Sequence, residues 1–262
     1  MISEIKLRIG IFKKYKNLLG NLVSRDIKVR YRRSVLGMLW TVLNPLLMMI
    51  VITVVFSTLF KQNIDHFPIY YLSGSLIFSF CSETTSNALY AIIGNASFMK
   101  KVYIPKYLFP LSKVLSGLVN MGFSMIAMFG VMLLMKVEFK LSLLLLPIPV
   151  FYVFLFSTGL GLLLAAVTVF FRDIAHFYGV FVLAWTYFTP IFYPVTILPE
   201  SAMKIMRINP MYHYVQYMRT LVLEGVFPGI RENIICLFIA LGMLGMGTCI
   251  FYRKQDKFVL YV

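Results

Sequence analysis

The sequence contains few charged side chains. Charged residues occupy 13% of its 262 positions, whereas about 25% is usual in a soluble domain. Hydrophobic residues occupy 60%. This composition excludes an ordinary soluble globular domain and predicts one integral membrane domain with little else attached.

The rare residue types exclude several kinds of chemistry. Cys81, Cys236 and Cys249 lie in apolar segments without metal-ligand or CxxC spacing, so the cysteines indicate no disulfide, redox or metal site. The histidines are scattered over boundaries and loops, and no HExxH, HxxxD or GxSxG pattern and no acidic catalytic cluster occurs. We therefore predict no catalytic residue, no metal and no enzyme activity, which disfavours a membrane glycosyltransferase.

The sequence also lacks motifs for binding ATP and most of the ionisable residues that ion-coupled membrane proteins use. No GxxxxGK[ST] phosphate loop occurs, so the chain does not bind ATP in that way. Glu83 is the only plausible ionisable side chain within a membrane span, whereas an ion-coupled flippase normally needs more. Two roles for Glu83 stay open: transport or gating, and packing at a helix end or between subunits.

Long uncharged runs dominate what the sequence does contain. The first covers 27 residues, 34–60, which at about 1.5 Å per helical residue crosses a hydrocarbon core of roughly 30 Å. Its length and the missing cleavage site exclude a secretory signal. We predict an all-α protein with six transmembrane helices, at about 36–60, 68–93, 110–135, 141–169, 175–194 and 233–252.

The basic residues predict the orientation. With six spans and a cytoplasmic N-terminus, the cytoplasmic pieces hold 18 Lys/Arg and the outer pieces hold seven, as cytoplasmic segments normally carry the excess. We therefore expect a multi-pass protein of the cytoplasmic (inner) membrane with both termini in the cytoplasm. The formal net charge of +15 then favours anionic headgroups and acidic protein surfaces as partners, and no nucleic acid.

Two regions are not predicted to span. Residues 1–33 are interpreted as a cytoplasmic amphipathic interfacial helix, or two helices broken near Gly20, preceding a membrane domain at 34–262. A solvated basic arm is the alternative. Residues 190–232 contain five of the eleven prolines, so short helices at 198–208 and 212–223 are predicted to be re-entrant or to lie on the outer surface.

Several stretches resemble one family of membrane proteins. Residues 25–40 (RDIKVRYRRSVLGMLW), followed by Asn44-Pro45-Leu46, resemble the opening of the permease subunits of ABC exporters of cell-surface polysaccharides. Residues 100–105, 171–173, 189–194 and 209–211 match in order, the last before Tyr214 and Arg219. The resemblance covers essentially the whole chain. The exported polymers of this family include O-antigen, capsule, teichoic acid and rhamnan.

The resemblance implies a homodimer of six-span subunits around a channel, with two copies of a separate ATPase that binds ATP and magnesium. The implied substrate is a lipid-linked glycan, and the chain itself binds no cofactor. An ABC exporter of a small lipid or a drug remains the main alternative. A short inner loop with apolar residues among lysines suits docking to the ATPase, with a secondary contact after the fourth span. The coupling candidates are Phe98, Met99, Lys100, Lys101, Val102, Ile104, Pro105, Arg172 and Asp173.

Aromatic residues at the span ends are candidates for the glycan path, because the CH face of a sugar packs on a π surface. These are Trp40, Phe56, Phe60, Tyr70, Tyr71, Tyr187, Phe188, Phe192 and Tyr193. Enrichment of Trp and Tyr at bilayer interfaces is the alternative explanation. Arg30, Arg32 and Arg33 are candidates for binding the phosphates of the lipid carrier, although ordinary anionic headgroups explain them equally well.

Overall fold

The computed structural model describes residues 2–59, 64–101 and 104–261, which contain eleven α-helices and no β-strand. The predicted all-α class is therefore confirmed for this part of the chain. The helices are α1 (Ile2–Arg30), α2 (Trp40–Val54), α3 (Phe67–Leu89), α4 (Ala96–Lys101), α5 (Leu108–Leu134), α6 (Pro147–Phe170), α7 (Ile174–Phe188), α8 (Glu200–Met206), α9 (Pro210–Arg219), α10 (Ile230–Lys254) and α11 (Phe258–Tyr261).

Four helical stretches among the described residues are long and apolar enough to cross a membrane, judged by length and composition. They are Gly37–Ser57, Leu108–Leu134, Leu141–Phe170 and Ile230–Tyr261, which correspond to the first, third, fourth and sixth predicted spans. α3 has 23 residues but carries many polar side chains, and α7 is apolar but has 15 residues. The number of crossings therefore depends on α3 and α7.

Some predicted boundaries differ from the structure. The fifth span was expected to reach residue 194, but α7 ends at Phe188 because Thr189, which precedes Pro190, adopts an extended conformation (φ −101°, ψ 129°). α1 continues through Gly20 without a break, so the alternative of two helices is wrong. The short helices predicted at 198–208 and 212–223 correspond to α8 and to α9 with its following π turn.

The apolar core of the bundle forms two clusters. Most of α3 is buried in the larger one, against α5, α6 and α9. The smaller cluster lies at one end of the bundle, where Leu19 and Leu22 of α1 pack with Phe109, Phe251 and Phe258. We call this end the α1 end, and the opposite end, which carries α8 and α9, the α8 end.

α1 is attached to the bundle by polar contacts as well. Asp26 forms an ion pair with Lys113 of α5 at 3.0 Å, and Arg25 Nη1 donates a hydrogen bond to Asn95 Oδ1 at 3.2 Å. Asn95 directly precedes α4. The C-terminal half of α1 is therefore a packed element of the bundle, and it joins the start of α4 to the α3–α5 pair.

α6 and α10 form the closest helix pair. A Cβ atom on Gly159 would overlap backbone atoms of Met243 and Leu244, and one on Gly247 would overlap the carbonyl of Gly159. Small residues permit this backbone-to-backbone packing in membrane proteins, where van der Waals contact drives helix association.

Candidate functional site

A polar groove runs along α3 between α2 and α5, with a volume of about 670 Å³. On α3 it is lined by Tyr71, Leu76 and four polar residues, Ser75, Ser79, Glu83 and Asn87, which recur every fourth position and so lie on one face of the helix. α2 contributes Thr41 and Asn44, and α5 contributes Asn120 and Ser124. The groove thus combines hydroxyl, amide and carboxylate groups within otherwise apolar helices.

The length of the groove is comparable to the thickness of a membrane core. It extends along α3 from Tyr71 to Asn87, which is about 24 Å at the usual rise per helical residue. A hydrocarbon core is roughly 30 Å thick. The polar face of α3 is therefore somewhat shorter than the thickness of a bilayer core.

The hydrogen bonds inside the groove leave specific groups available. Ser75 Oγ donates to the Leu72 carbonyl at 3.3 Å, and Ser124 Oγ donates to the Thr41 carbonyl of α2 at 2.9 Å. These hydroxyl oxygens keep lone pairs that can accept a hydrogen bond. Asn120 Nδ2 is buried and has no partner among the described residues. The groove therefore offers hydroxyl oxygens that can accept hydrogen bonds from a hydroxylated ligand, whereas Asn120 Nδ2 lies beneath the groove surface.

An ion pair lies at the mouth of the groove at the α1 end. Arg30 Nη1 contacts Glu83 Oε1, and both residues line the groove together with Trp40. The structure therefore places Glu83 beside a cation at the groove mouth. Of the other two arginine candidates, Arg32 lines a separate recess on α1 and Arg33 is exposed, so the three are not brought together.

At the α8 end a buried arginine joins three segments. Arg219 is 2% exposed, its guanidinium lies 3.5 Å from the centre of the Tyr70 ring, and its Nη2 donates to the Ile191 carbonyl at 3.1 Å. A Cβ atom on Gly74 would come within 2.9 Å of Nη2, so the glycine leaves room for the guanidinium. Among the described residues, neither Nε nor Nη1 has a hydrogen-bond partner.

Four aromatic candidates form a ring cluster at the same end. Phe192 stacks on Phe56 and on Tyr71, each with ring centres 6.0 Å apart, and lies 6.2 Å from Tyr187. Tyr71 also lines the groove. The cluster therefore connects the end of the groove with α7 and with the non-helical segment 189–194.

The remaining aromatic candidates are dispersed. Tyr70 is buried beneath Arg219, Trp40 lies near the opposite mouth, and Phe188 and Tyr193 line a different, apolar cleft. Phe60 lies outside the described residues. Sequence reasoning did not select the four-residue repeat on α3 or Arg219 as site residues, although the spacing of Ser75, Ser79, Glu83 and Asn87 was a readable signal.

The coupling candidates lie at the α1 end, but they do not all point outward. Met99 and Ile104 pack against the smaller core cluster, so they are not free to anchor a partner as expected, because α4 rests on the bundle with this face inward. Phe98 is 51% exposed and takes their place. Like Met99 and Ile104, Pro105 is half-buried, whereas Lys100, Lys101, Arg172 and Asp173 are exposed. Val102 lies outside the described residues.

Comparisons with known proteins agree with the sequence resemblance. The profile of the family described as ABC-2 type transporter matches residues 17–223. The O-antigen export system permease protein RfbA of Myxococcus xanthus is 31% identical over 250 residues, which cover 93% of this chain and 95% of that protein. A Klebsiella pneumoniae protein of the same name is 27% identical, with 92% and 93% covered. The polysialic acid transport protein KpsM of Escherichia coli is 22% identical, with 91% and 93% covered.

Proposed function

Because the chain belongs to the ABC-2 type transporter family, we propose that it is the permease subunit of an ABC exporter of cell-surface polysaccharide. The relatives are named for O-antigen export and for polysialic acid transport. The observation on this chain that carries the proposal is the polar groove along α3, because its chemistry suits a ligand rich in hydroxyl groups.

The groove and the ring cluster suit successive parts of a sugar polymer. The hydroxyl oxygens of Ser75, Ser79 and Ser124 can accept hydrogen bonds from sugar hydroxyls along the path. At the α8 end the exposed ring of Tyr187 and the half-buried ring of Phe192 offer flat apolar surfaces to the CH faces of sugars. The polymer thus meets polar contacts along α3 and aromatic contacts where it leaves.

The proposed substrate is lipid-linked, and the mouth at the α1 end suits its phosphates. Arg30 lines the groove there and is held by Glu83. A phosphate group that approaches Arg30 competes with this carboxylate for the same guanidinium. Opening of the ion pair is therefore the step that we assign to substrate entry.

We further propose that two copies form a homodimer with the grooves facing one another. In a single copy α2 and α7 expose many apolar side chains, among them Leu47, Val51, Val180 and Leu183. Lipid can cover such apolar side chains, but polar side chains at membrane depth are normally turned away from lipid, and Ser79, Glu83 and Asn87 of the groove are exposed in a single copy. A second copy closes the open side of the groove and separates the polar path from lipid.

The proposed arrangement in the membrane has six crossings, with α3 and α7 as the second and fifth. Most apolar side chains of α3 are buried among its neighbours, and the proposed second copy covers its exposed polar face, so its polar residues do not prevent it from crossing. The excess of basic residues supports a position of the α1 end on the cytoplasmic side of the inner membrane. α1 then lies at the cytoplasmic face, and α8 and α9 lie on the outer side.

The ABC-2 family implies a partner ATPase, and we propose that two copies of it bind ATP and magnesium below the α1 end. α4 presents Phe98 there beside Lys100 and Lys101. An exposed aromatic ring on a short helix is a suitable anchor for a groove in a partner. Arg172 and Asp173 lie exposed between α6 and α7 and are proposed as a secondary contact.

Filling the groove tests the proposed path. We expect Ser79→Phe to abolish most export, because Ser79 lies on the exposed polar face of α3 and a phenyl ring blocks the path without disturbing the core. The measurement is surface polysaccharide per assembled transporter in cells that lack their own permease. Ile126→Phe on the exposed, opposite side of α5 is the matched control. Normal export by the Ser79 variant would refute the groove as the polymer path.

A second prediction concerns coupling to the ATPase. We expect Phe98→Asp to prevent copurification of the ATPase and to stop export, because an unpaired carboxylate in an apolar contact is costly. The permease itself should insert and fold normally, since Phe98 is half exposed. Phe139→Asp, with an almost equal exposure of 52% near the other end, is the control. If both variants retain the ATPase equally, α4 is not the docking element.

A further inference from the structure

A second cavity, distinct from the polar groove, is an apolar cleft of about 770 Å³ at the α8 end. We propose that this cleft binds an acyl chain of an anionic membrane phospholipid. It lies between α7, α8 and the α6–α10 pair, and Phe181, Trp185 and Phe188 form its α7 wall. Its size falls within the range of about 300–1,000 Å³ that is usual for ligand sites.

The lining is apolar apart from Asn209 and the hydroxyl groups of Tyr187 and Tyr193, and Tyr193 Oη already donates to the Tyr187 carbonyl at 2.8 Å. Asn209 is its only amide side chain, and Asn209 Oδ1 accepts hydrogen bonds from Trp185 Nε1 at 2.7 Å and from the Met211 amide at 3.0 Å. Asn209 Nδ2 donates to Thr189 Oγ1 at 3.0 Å. Burying a polar ligand against such walls would leave that ligand unpaired, so the occupant is a hydrocarbon.

The charges of α8 identify the headgroup. Ala202, Ile205 and Met206 face the cleft, while Lys204 and Arg207 are exposed on the other side of this short segment. Glu200, four residues before Lys204, is the acidic residue of α8 and is also exposed. Neither cation forms an ion pair with another described residue, and residues 200–207 keep a net positive charge. The apolar cleft suits an acyl chain, and the exposed cations of α8 suit a negatively charged headgroup. Together they match an anionic phospholipid whose chain enters the cleft beneath α8.

A second copy of the chain fits the cleft less well. In a two-fold symmetric dimer the same surface patch meets itself, so contact through α8 would bring Lys204 and Arg207 close to their own counterparts. A lipid chain avoids this repulsion and also fills a space that is open towards the bilayer. An unfilled cleft would forfeit the dispersion contacts of its aromatic walls.

The test uses the fluorescence of Trp185, which lines the cleft. Trp40→Phe leaves Trp185 as the only tryptophan, and the full-length protein is reconstituted into phosphatidylcholine vesicles that contain a small fraction of brominated lipid. Bromine atoms on the acyl chain quench a tryptophan that they contact. We expect brominated phosphatidylglycerol to quench Trp185 several-fold more efficiently than brominated phosphatidylcholine at the same mole fraction.

Two variants separate the cleft from the surrounding lipid. Ala202→Phe fills the cleft and should lower quenching by phosphatidylglycerol to the level of phosphatidylcholine. Lys204→Gln with Arg207→Gln changes only exposed side chains and should remove the headgroup preference even if the first variant folds poorly. Equal quenching by both lipids in the parent protein overturns the proposal, as does a preference that survives both variants. Absence of quenching by either lipid also overturns it, since protein then covers the cleft.

Discussion

Replacing Gly247 with leucine is expected to prevent the protein from folding into a stable bundle. A Cβ atom at this position would overlap the carbonyl group of Gly159 on α6, and a backbone carbonyl cannot rotate away as a flexible side chain can. The cost should exceed the roughly 1–3 kcal/mol of ordinary overpacking. The measurement is the yield of monodisperse protein on size-exclusion chromatography and its thermal unfolding midpoint in detergent.

Gly245 supplies the matched control on the same helix. A Cβ atom there meets no other atom within 4 Å, so Gly245→Leu adds the same side chain two residues away without a clash. We expect this variant to be as stable as the original protein or slightly more stable, since leucine favours helix more than glycine does. Similar behaviour of the two variants would contradict the close packing of α6 and α10.

Removing the side chain of Arg219 is expected to give the second large effect. Arg219→Ala eliminates the cation–π contact with Tyr70, which is worth about 2 kcal/mol when desolvated, and leaves the Ile191 carbonyl without its donor. It also leaves a cavity inside the bundle. We expect lower thermal stability, together with faster reaction of a cysteine placed at Phe192 with a thiol reagent, because the segment 189–194 loses its hydrogen bond to α9. The segment is then held by the bond from Tyr70 Oη to the Tyr193 carbonyl (2.8 Å) and by ring contacts.

Burial of the Arg219 guanidinium also destabilises the protein, because two of its nitrogen atoms have no hydrogen-bond partner among the described residues. Arg219→Met separates the two contributions, because it fills the volume without the charge and should lose less stability than alanine. Arg231→Ala, an exposed arginine on α10, serves as the control for loss of charge alone. If Arg219→Ala unfolds at the same temperature as the original protein, the guanidinium makes no net contribution and does not hold the segment.

Much of the architecture follows from local sequence features. The uncharged runs predicted the four helical stretches that are long and apolar enough to cross a membrane, because a bilayer core sets both the length and the composition of such helices. Proline and the residue before it determined where α7 ends. Motif pieces between residues 25 and 219 were enough to indicate the family.

The candidate site was less accessible to prediction, because it is formed by contacts between distant segments. Met99 was expected to face a partner, but α4 could have rested on the bundle by either face, and only packing against α1 and α11 decides which one is free. Similarly, aromatic residues at span ends look equivalent in the sequence. The structure separates Phe192, in the ring cluster, from Tyr70, which lies beneath a buried cation.

The sequence by itself determined that the protein lies in a membrane, that it is helical and that it contains no phosphate-loop motif. Each of these depends on composition or on a pattern within one segment. Tertiary structure alone decided which polar residues share a groove, which glycines touch and where Arg219 lies. Gly159 meets Gly247, and Asn120 joins the polar face of α3, only because three-dimensional packing aligns separate helices. The spacing of apolar residues and the composition constrain each helix separately. The groove depends on how the helices are rotated relative to one another.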